Sequence, residues 1–166
     1  EDVFALKLSV EKPLAYITQT TLSVDEARDT IAALRERFPN IIGPSAGDLC
    51  YATGNRQAAV RELCSKVDLL LIVGSSNSSN STRLSELGKK CGIPSYLISS
   101  VEDLNFDWFK NVETVGLSSG ASAPDILVQG VQQAICAKFP DILVENSVTL
   151  VENLHFPLPK ELQEDK

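Results

Sequence analysis

The run Gly74-Ser75-Ser76-Asn77-Ser78-Ser79-Asn80-Ser81-Thr82-Arg83 is made almost wholly of hydroxyls and carboxamides. It follows Asp68-Leu69-Leu70-Leu71-Ile72-Val73, an apolar run with the length of a buried strand. It precedes Leu84-Ser85-Glu86-Leu87-Gly88-Lys89-Lys90, which reads as a helix. A strand-to-helix loop of this composition gathers backbone N–H groups, a helix N-terminus and side-chain donors around one spot. Such a spot suits an anion, most often phosphate. The loop has no lysine and no glycine-rich Walker pattern, so it is not a nucleotide P-loop. Ser/Asn clusters are also ordinary loop and N-cap chemistry, and the loop by itself leaves both readings open.

Three more stretches carry residues of the same kind. Asp48-Leu49-Cys50-Tyr51-Ala52-Thr53-Gly54-Asn55-Arg56-Gln57 reads as a loop entering a helix. Gln19-Thr20-Thr21 follows a short apolar run, and Ser118-Ser119-Gly120-Ala121-Ser122-Ala123-Pro124-Asp125 follows another. Together the four loops carry Thr20, Cys50, Thr53, Ser78, Ser79, Asn80, Ser119 and Ser122. The set has no histidine base and no pair of carboxylates. Hydroxyls without a base hold a substrate and seldom do acid–base work alone. One thiol can ligate a metal but cannot hold one without other ligands.

The elements that must position these loops follow from the apolar patterning. Residues 1–12 read as a strand or as the end of a helix, and Leu14–Thr18 as a strand. Ser23-Val24-Asp25-Glu26 is a capping box opening a helix to about Phe38, where Pro39 stops it. A second helix reaches about Cys64 with Val60, Leu63 and Cys64 inward. The strand at 68–73 follows, then a helix ended by Gly92, then a strand at Ser95–Ile98. Val101–Phe109 is a short aromatic piece whose Trp108 is expected to pack. A strand at Val112–Leu117 leads to a helix begun by Pro124, capped by Ser122 or Ala123, and ending near Phe139. Ser147–Val151 reads as a last strand or edge, and Leu154–Lys160 as a proline-bearing tail. From residue 50 helices and strands alternate. The fold class is therefore α/β, with a mostly parallel sheet and helices on both faces. Right-handed crossovers place all the strand-to-helix loops at one sheet edge. The loop at 19–21 is expected to face the same cleft.

Composition narrows the function classes. The chain has 166 residues, enough to bury a core, and a net charge of −7 without a basic cluster. That excludes nucleic acid and anionic membranes as natural partners. No apolar run spans a bilayer and no secretory pattern stands at the N-terminus, so a disulfide framework is not expected for Cys50, Cys64, Cys91 and Cys136. Cys64 and Cys136 fall in apolar helical patterns and read as small core residues. The chain has no methionine and begins with glutamate, which points to a trimmed chain: a processed product, a fragment or an excised domain.

Several of these stretches resemble one family in its own motif order. They are Gln19-Thr20-Thr21-Leu22-Ser23-Val24-Asp25, Asp48-Leu49-Cys50-Tyr51-Ala52-Thr53, Asn55-Arg56-Gln57, Val73-Gly74-Ser75, Asn77-Ser78-Ser79-Asn80-Ser81 and Gly120-Ala121-Ser122-Ala123-Pro124-Asp125-Ile126-Leu127-Val128-Gln129. All are similar to the 4-hydroxy-3-methylbut-2-enyl diphosphate reductases of the non-mevalonate isoprenoid pathway. The tail Pro157-Leu158-Pro159-Lys160-Glu161-Leu162 resembles that family's C-terminal end. The resemblance covers nearly the whole chain.

The resemblance implies a cytoplasmic oxidoreductase (plastid in a eukaryote) in which three cysteines, one from each of three α/β lobes, hold a 4Fe-4S cluster. The cluster's fourth iron meets the substrate hydroxyl. Two electrons from a ferredoxin or flavodoxin and two protons remove it as water, leaving isopentenyl or dimethylallyl diphosphate. By motif match Cys50 is the third cluster cysteine, Thr20 lies near the substrate, and Ser78, Ser79, Asn80 and Ser122 bind the diphosphate. The family's other two cluster cysteines, its substrate-binding histidines and its proton-relaying glutamate belong to its N-terminal half and have no counterpart here. The only histidine, His155, matches no family site, and Gly54 stands where the family pattern has threonine. The implied division is residues 1–46 as the end of the second lobe, 47–152 as the third lobe with the cysteine and diphosphate loops, and 153–166 as the C-terminal tail. Such a chain needs the missing N-terminal lobes and is inactive alone. The alternative is a free-standing phosphate-binding α/β module without redox chemistry.

Overall fold

The computed structural model describes residues 2–9, 12–22, 24–44 and 50–149. A short helix α1 (Asp2–Ala5) and the helix α2 (Val24–Arg37) precede an alternating unit. That unit runs α3 (Tyr51–Cys64), β1 (Leu69–Val73), α4 (Ser79–Lys90), β2 (Ser95–Ile98), two 3-10 turns at Val101–Asp103 and Phe106–Phe109, β3 (Val115–Ser119) and α5 (Asp125–Lys138). The three strands form one parallel sheet in the order β2-β1-β3, with Leu71 opposite Tyr96 on one side and Leu117 on the other.

The central strand explains the unbroken apolar run. All five residues of β1 are fully buried, because helices cover both faces of the sheet. Strand alternation sends Leu69, Leu71 and Val73 to one face, where they meet Val131 and Ile135 of α5. Leu70 and Ile72 point to the other, where they meet Val60 and Cys64 of α3 and Leu84 of α4. Trp108 packs as expected, stacked on Tyr96 with ring centroids 3.9 Å apart and planes 3° from parallel. Gly92, at φ +83, takes the left-handed turn that stops α4.

The N-terminal segment is tied to this unit by polar contacts. Arg37 donates to the carbonyls of Val3 (2.8 Å) and Leu6, which holds α1 against the end of α2. Asp25 pairs with Arg61 of α3 at 2.6 Å, and Gln57 donates to the Leu22 carbonyl at 3.2 Å.

Some boundaries differ from the sequence reading. Leu14–Thr18 is not a strand: it makes a single parallel bridge, Ala15 to Ile42, because no further neighbour extends the ladder. β3 begins at Val115, not Val112, since Asp68 takes the Glu113 and Thr114 N–H groups with its carboxylate and so holds the entry turn outside the ladder. Pro124 is the N-cap of α5, with ψ at 136°, and neither Ser122 nor Ala123 caps the helix. No strand forms over 147–149, and the rest of that expected strand, with the tail, lies outside the described residues. So do Ser23 of the capping box and the Asp48-Leu49 entry to the cysteine loop.

Candidate functional site

Strand order creates the site. β1 is followed by α4 on one face of the sheet, while its neighbour β3 is followed by α5 on the other. The chain thus diverges to opposite faces from two adjacent parallel strands, which opens a crevice at their carboxyl ends. Ligands of open α/β sheets bind at such switch points. The loops 74–78 and 120–124 form its two lips.

The Ser/Asn run is more helical than its composition suggests. α4 begins at Ser79, five residues earlier than expected. Ser78 is the N-cap, accepting from the Ser81 N–H at 3.3 Å, so capping falls to Ser78 and not to Ser79. Ser79 is the exposed first helical residue. Asn80 is only 7% exposed, and neither its Oδ1 nor its Nδ2 has a hydrogen-bond partner among the described residues. A buried carboxamide left unpaired costs about 1–3 kcal/mol unless something binds it.

Ser81 is the residue the sequence reading missed. It is fully buried and its Oγ also lacks a partner among the described residues. It fills the space that side chains at Gly74 and Gly120 would occupy, so it holds the ends of β1 and β3 together. The signal available was a serine three residues after an N-cap, with glycine just after each of two strands. A methyl group on Gly120 would overlap Ser81 Oγ and come within 3.2 Å of Ser81 Cβ. Gly120→Ala is therefore expected to destabilise the chain by about 1–3 kcal/mol, as overpacking does. In a Ser81→Ala background most of that loss should vanish. Urea midpoints of the two single variants and the double variant measure both effects.

On the other lip Ser119 ends β3 opposite Val73, and the Gly120 N–H donates to the Val73 carbonyl at 2.9 Å. Ser122 follows in an exposed turn closed by Ala123 N–H to Gly120 carbonyl at 3.1 Å. Ser78, Asn80 and Ser122 therefore stand at the same sheet edge, on either side of the switch point.

Cys50 reaches this edge from α3. That helix joins β1 through a short link, runs antiparallel to it, and so carries its N-terminus back to the strand's carboxyl end. The helix that the cysteine loop was expected to enter already starts at Tyr51, which is exposed. Cys50 is the exposed N-cap residue. The N–H groups of Thr53 and Ala52 hold its thiol below the ordinary cysteine range against the opposing effect of burial, with lesser help from the Thr53 hydroxyl and the Arg56 charge. No side-chain capping hydrogen bond forms, so the sulfur stays available while the helix terminus favours its thiolate. Thr20 is brought to it: the Cys50 N–H faces the Thr20 carbonyl at 3.4 Å.

The thiol's setting suits one corner of a metal cluster. Among the described residues no group of three or more His, Cys, Asp or Glu side chains could hold a metal. Cys64, Cys91 and Cys136 lie elsewhere: Cys64 and Cys91 at the far ends of α3 and α4, Cys136 on α5. A separate cleft of about 320 Å³ runs along β3 beneath residues 142–149 and is lined by Ser118 but by none of Thr20, Cys50, Ser78, Asn80 and Ser122. No helix among the described residues is long and apolar enough to cross a membrane.

The fold and site define an α/β protein with a doubly wound parallel sheet, an anion-suited crevice at its switch point and one activated thiol beside it. Comparison with known proteins identifies the family. The family described as LytB protein matches residues 1–136, and this chain belongs to it. It is 52% identical over 163 residues to the 4-hydroxy-3-methylbut-2-enyl diphosphate reductase of Zymomonas mobilis, covering 98% of this chain and 48% of that one. The reductase of the same name from Hamiltonella defensa is 51% identical, with 98% of this chain and 51% of the relative covered. Among solved structures, the E-1-hydroxy-2-methyl-but-2-enyl-4-diphosphate reductase of Plasmodium falciparum superposes with a TM-score of 0.85 at 35% identity, over 96% of this chain and 51% of that one. The chain thus spans about half the length of the relatives it matches.

Proposed function

We propose that this chain is part of a 4-hydroxy-3-methylbut-2-enyl diphosphate reductase, in which it supplies the diphosphate-binding crevice and one cluster cysteine. The observation that carries this reading is Asn80, a buried carboxamide with both polar atoms unpartnered among the described residues, at a helix N-terminus within the switch-point crevice. The names of the relatives supply the substrate.

In this reading Ser78, Ser79, Asn80 and Ser122 hold the diphosphate between the two lips, and Thr20 stands nearer the reacting end. Ser78 can cap and bind at once, since its hydroxyl retains a proton to donate while accepting from Ser81. Cys50 would hold one iron of a 4Fe-4S cluster through a thiolate that its helix terminus favours. When bound, the cluster supplies the electrons, which come from a reduced ferredoxin or flavodoxin. Two electrons and two protons break the substrate's C–O bond and release the hydroxyl as water. The remaining cluster ligands and the proton donor belong to the missing N-terminal lobes. Residues 1–46 would then close the preceding lobe, 47–152 form the lobe described here, and 153–166 the tail. The working place of such an enzyme is the cytoplasm or a plastid, with a small diphosphate as substrate and neither nucleic acid nor membrane as partner.

The test is Asn80→Ala in the full-length reductase containing this chain. A charge-assisted hydrogen bond is worth about 1.5–3 kcal/mol, which converts to about tenfold to hundredfold weaker substrate binding. Iron content should not change, because Cys50 is on a different helix. Unaltered affinity would reduce Asn80 to a helix residue and remove the anion-crevice reading.

A further inference from the structure

We propose that Cys64 and Cys91 form an oxidant-responsive dithiol that closes to an intramolecular disulfide, stapling the C-terminal end of α3 to that of α4. The two helices lie side by side on one face of the sheet, packed through Val60, Cys64 and Leu84. Cys64 is the last residue of α3, and Cys91 is the C-cap of α4. Cys64 is buried in the cluster that Leu87 joins, and the Cys91 N–H donates to the Leu87 carbonyl at 3.0 Å. Cys64 is buried and Cys91 exposed, and the Cys91 sulfur is near enough to act on the Cys64 thiol. Both sit at helix ends, and Gly92 turns the chain directly after Cys91, so the backbone there can adjust to disulfide geometry.

The division of labour follows from burial. Desolvation first, and the neighbouring Cys91 sulfur second, push the Cys64 thiol up to about 11. Cys64 therefore stays protonated, and the exposed Cys91 meets the oxidant. With a peroxide, the Cys91 thiolate attacks one oxygen. An S–O bond forms, the O–O bond breaks, and the departing oxygen leaves as water after taking a proton. Cys64 then loses its proton and attacks the Cys91 sulfur. The S–S bond forms, the S–O bond breaks, and the hydroxide takes up that proton to leave as the second water. The two sulfurs together give up two electrons to one peroxide. A small dithiol reverses the change by exchange.

The other cysteines are not competitors for this partner. Cys50 lies at the opposite end of α3, about 20 Å away at the α-helical rise. Cys136 is on α5, across the sheet. The staple would tie the far ends of the two helices whose N-termini carry Cys50 and Asn80, and it does not depend on the function proposed for those residues.

The chain is treated with hydrogen peroxide, its remaining thiols are alkylated after denaturation, and its peptides are weighed. The expected product is a Cys64–Cys91 cross-linked peptide, about 2 Da lighter than its two reduced parts, which disappears with dithiothreitol. Cys91→Ser, at an exposed position, should fold, fail to form the link and leave Cys64 fully alkylatable. Cys91 driven to sulfinic acid beside an intact Cys64, or Cys91 linked to a second chain, would overturn the proposal. So would a Cys64–Cys91 link that persists only under denaturing oxidation.

Discussion

Cys50→Ala in the full-length reductase is expected to abolish turnover while leaving the protein folded. The thiol is exposed and makes no capping hydrogen bond, so its removal takes little from the fold, within about 0.5 kcal/mol as for other surface changes. Its chemistry has no substitute. Among the described residues no group of three or more His, Cys, Asp or Glu side chains could hold a metal in its place, and alanine offers no lone pair to an iron. In the proposed site the variant would leave a three-cysteine cluster with two protein ligands, and that cluster should be lost or degraded on purification. The measurement is iron and sulfide content under anaerobic conditions, with the thermal midpoint recorded alongside. Loss of iron at an unchanged midpoint is the expected pair of results. Full iron content would mean that Cys50 is only an N-cap thiol, and that its favoured thiolate serves another purpose.

The sequence made parts of this site readable for specific reasons. Leu69–Val73 was legible as a buried strand because helices cover both faces, so nothing interrupts its apolar run. The anion loop was legible from composition, but its end was not. Ser, Asn and Thr are weak helix formers, so the run to Arg83 reads as loop. The Ser78 cap and the wedging of Ser81 between two strand ends supply what propensity lacks. The helix after the cysteine loop was legible but its start was not: it begins at Tyr51, with Thr53 and Gln57 buried. Strand order was not legible at all. Nothing in β3 says that it joins β1 rather than β2, yet that choice makes the switch point and brings Ser122 across from Asn80. The motif resemblance reached the same residues by another route, and it could not have told which of them are buried. Asn80 and Ser81 are adjacent, alike in polarity, both buried and both with unpartnered polar atoms among the described residues, but only Ser81 fills the space beside Gly74 and Gly120.

Asn80→Asp should do more damage to substrate binding than Asn80→Ala, although it is nearly isosteric. The position is buried, so a carboxylate there is poorly solvated. It also replaces a donor amide with a negative charge directed at a diphosphate, and like charges in contact cost several kcal/mol. The expected loss of affinity at neutral pH is thus about a thousandfold or more, against tenfold to hundredfold for alanine. The pH dependence carries the proof of cause. Burial disfavours the charged form and raises the carboxyl's pKa, and a bound dianion raises it further. Below that raised pKa the group is a neutral acid with an O–H to donate, close in shape and function to the amide it replaced. The ratio of wild-type to Asn80→Asp affinity should therefore shrink as pH falls, while the ratio for Asn80→Ala stays flat. Taking ratios at each pH removes the substrate's own titration, which is common to all three proteins. An aspartate variant that binds as well as wild type at neutral pH would mean that Asn80 does not face the anion, and that its unpaired amide is met by something else.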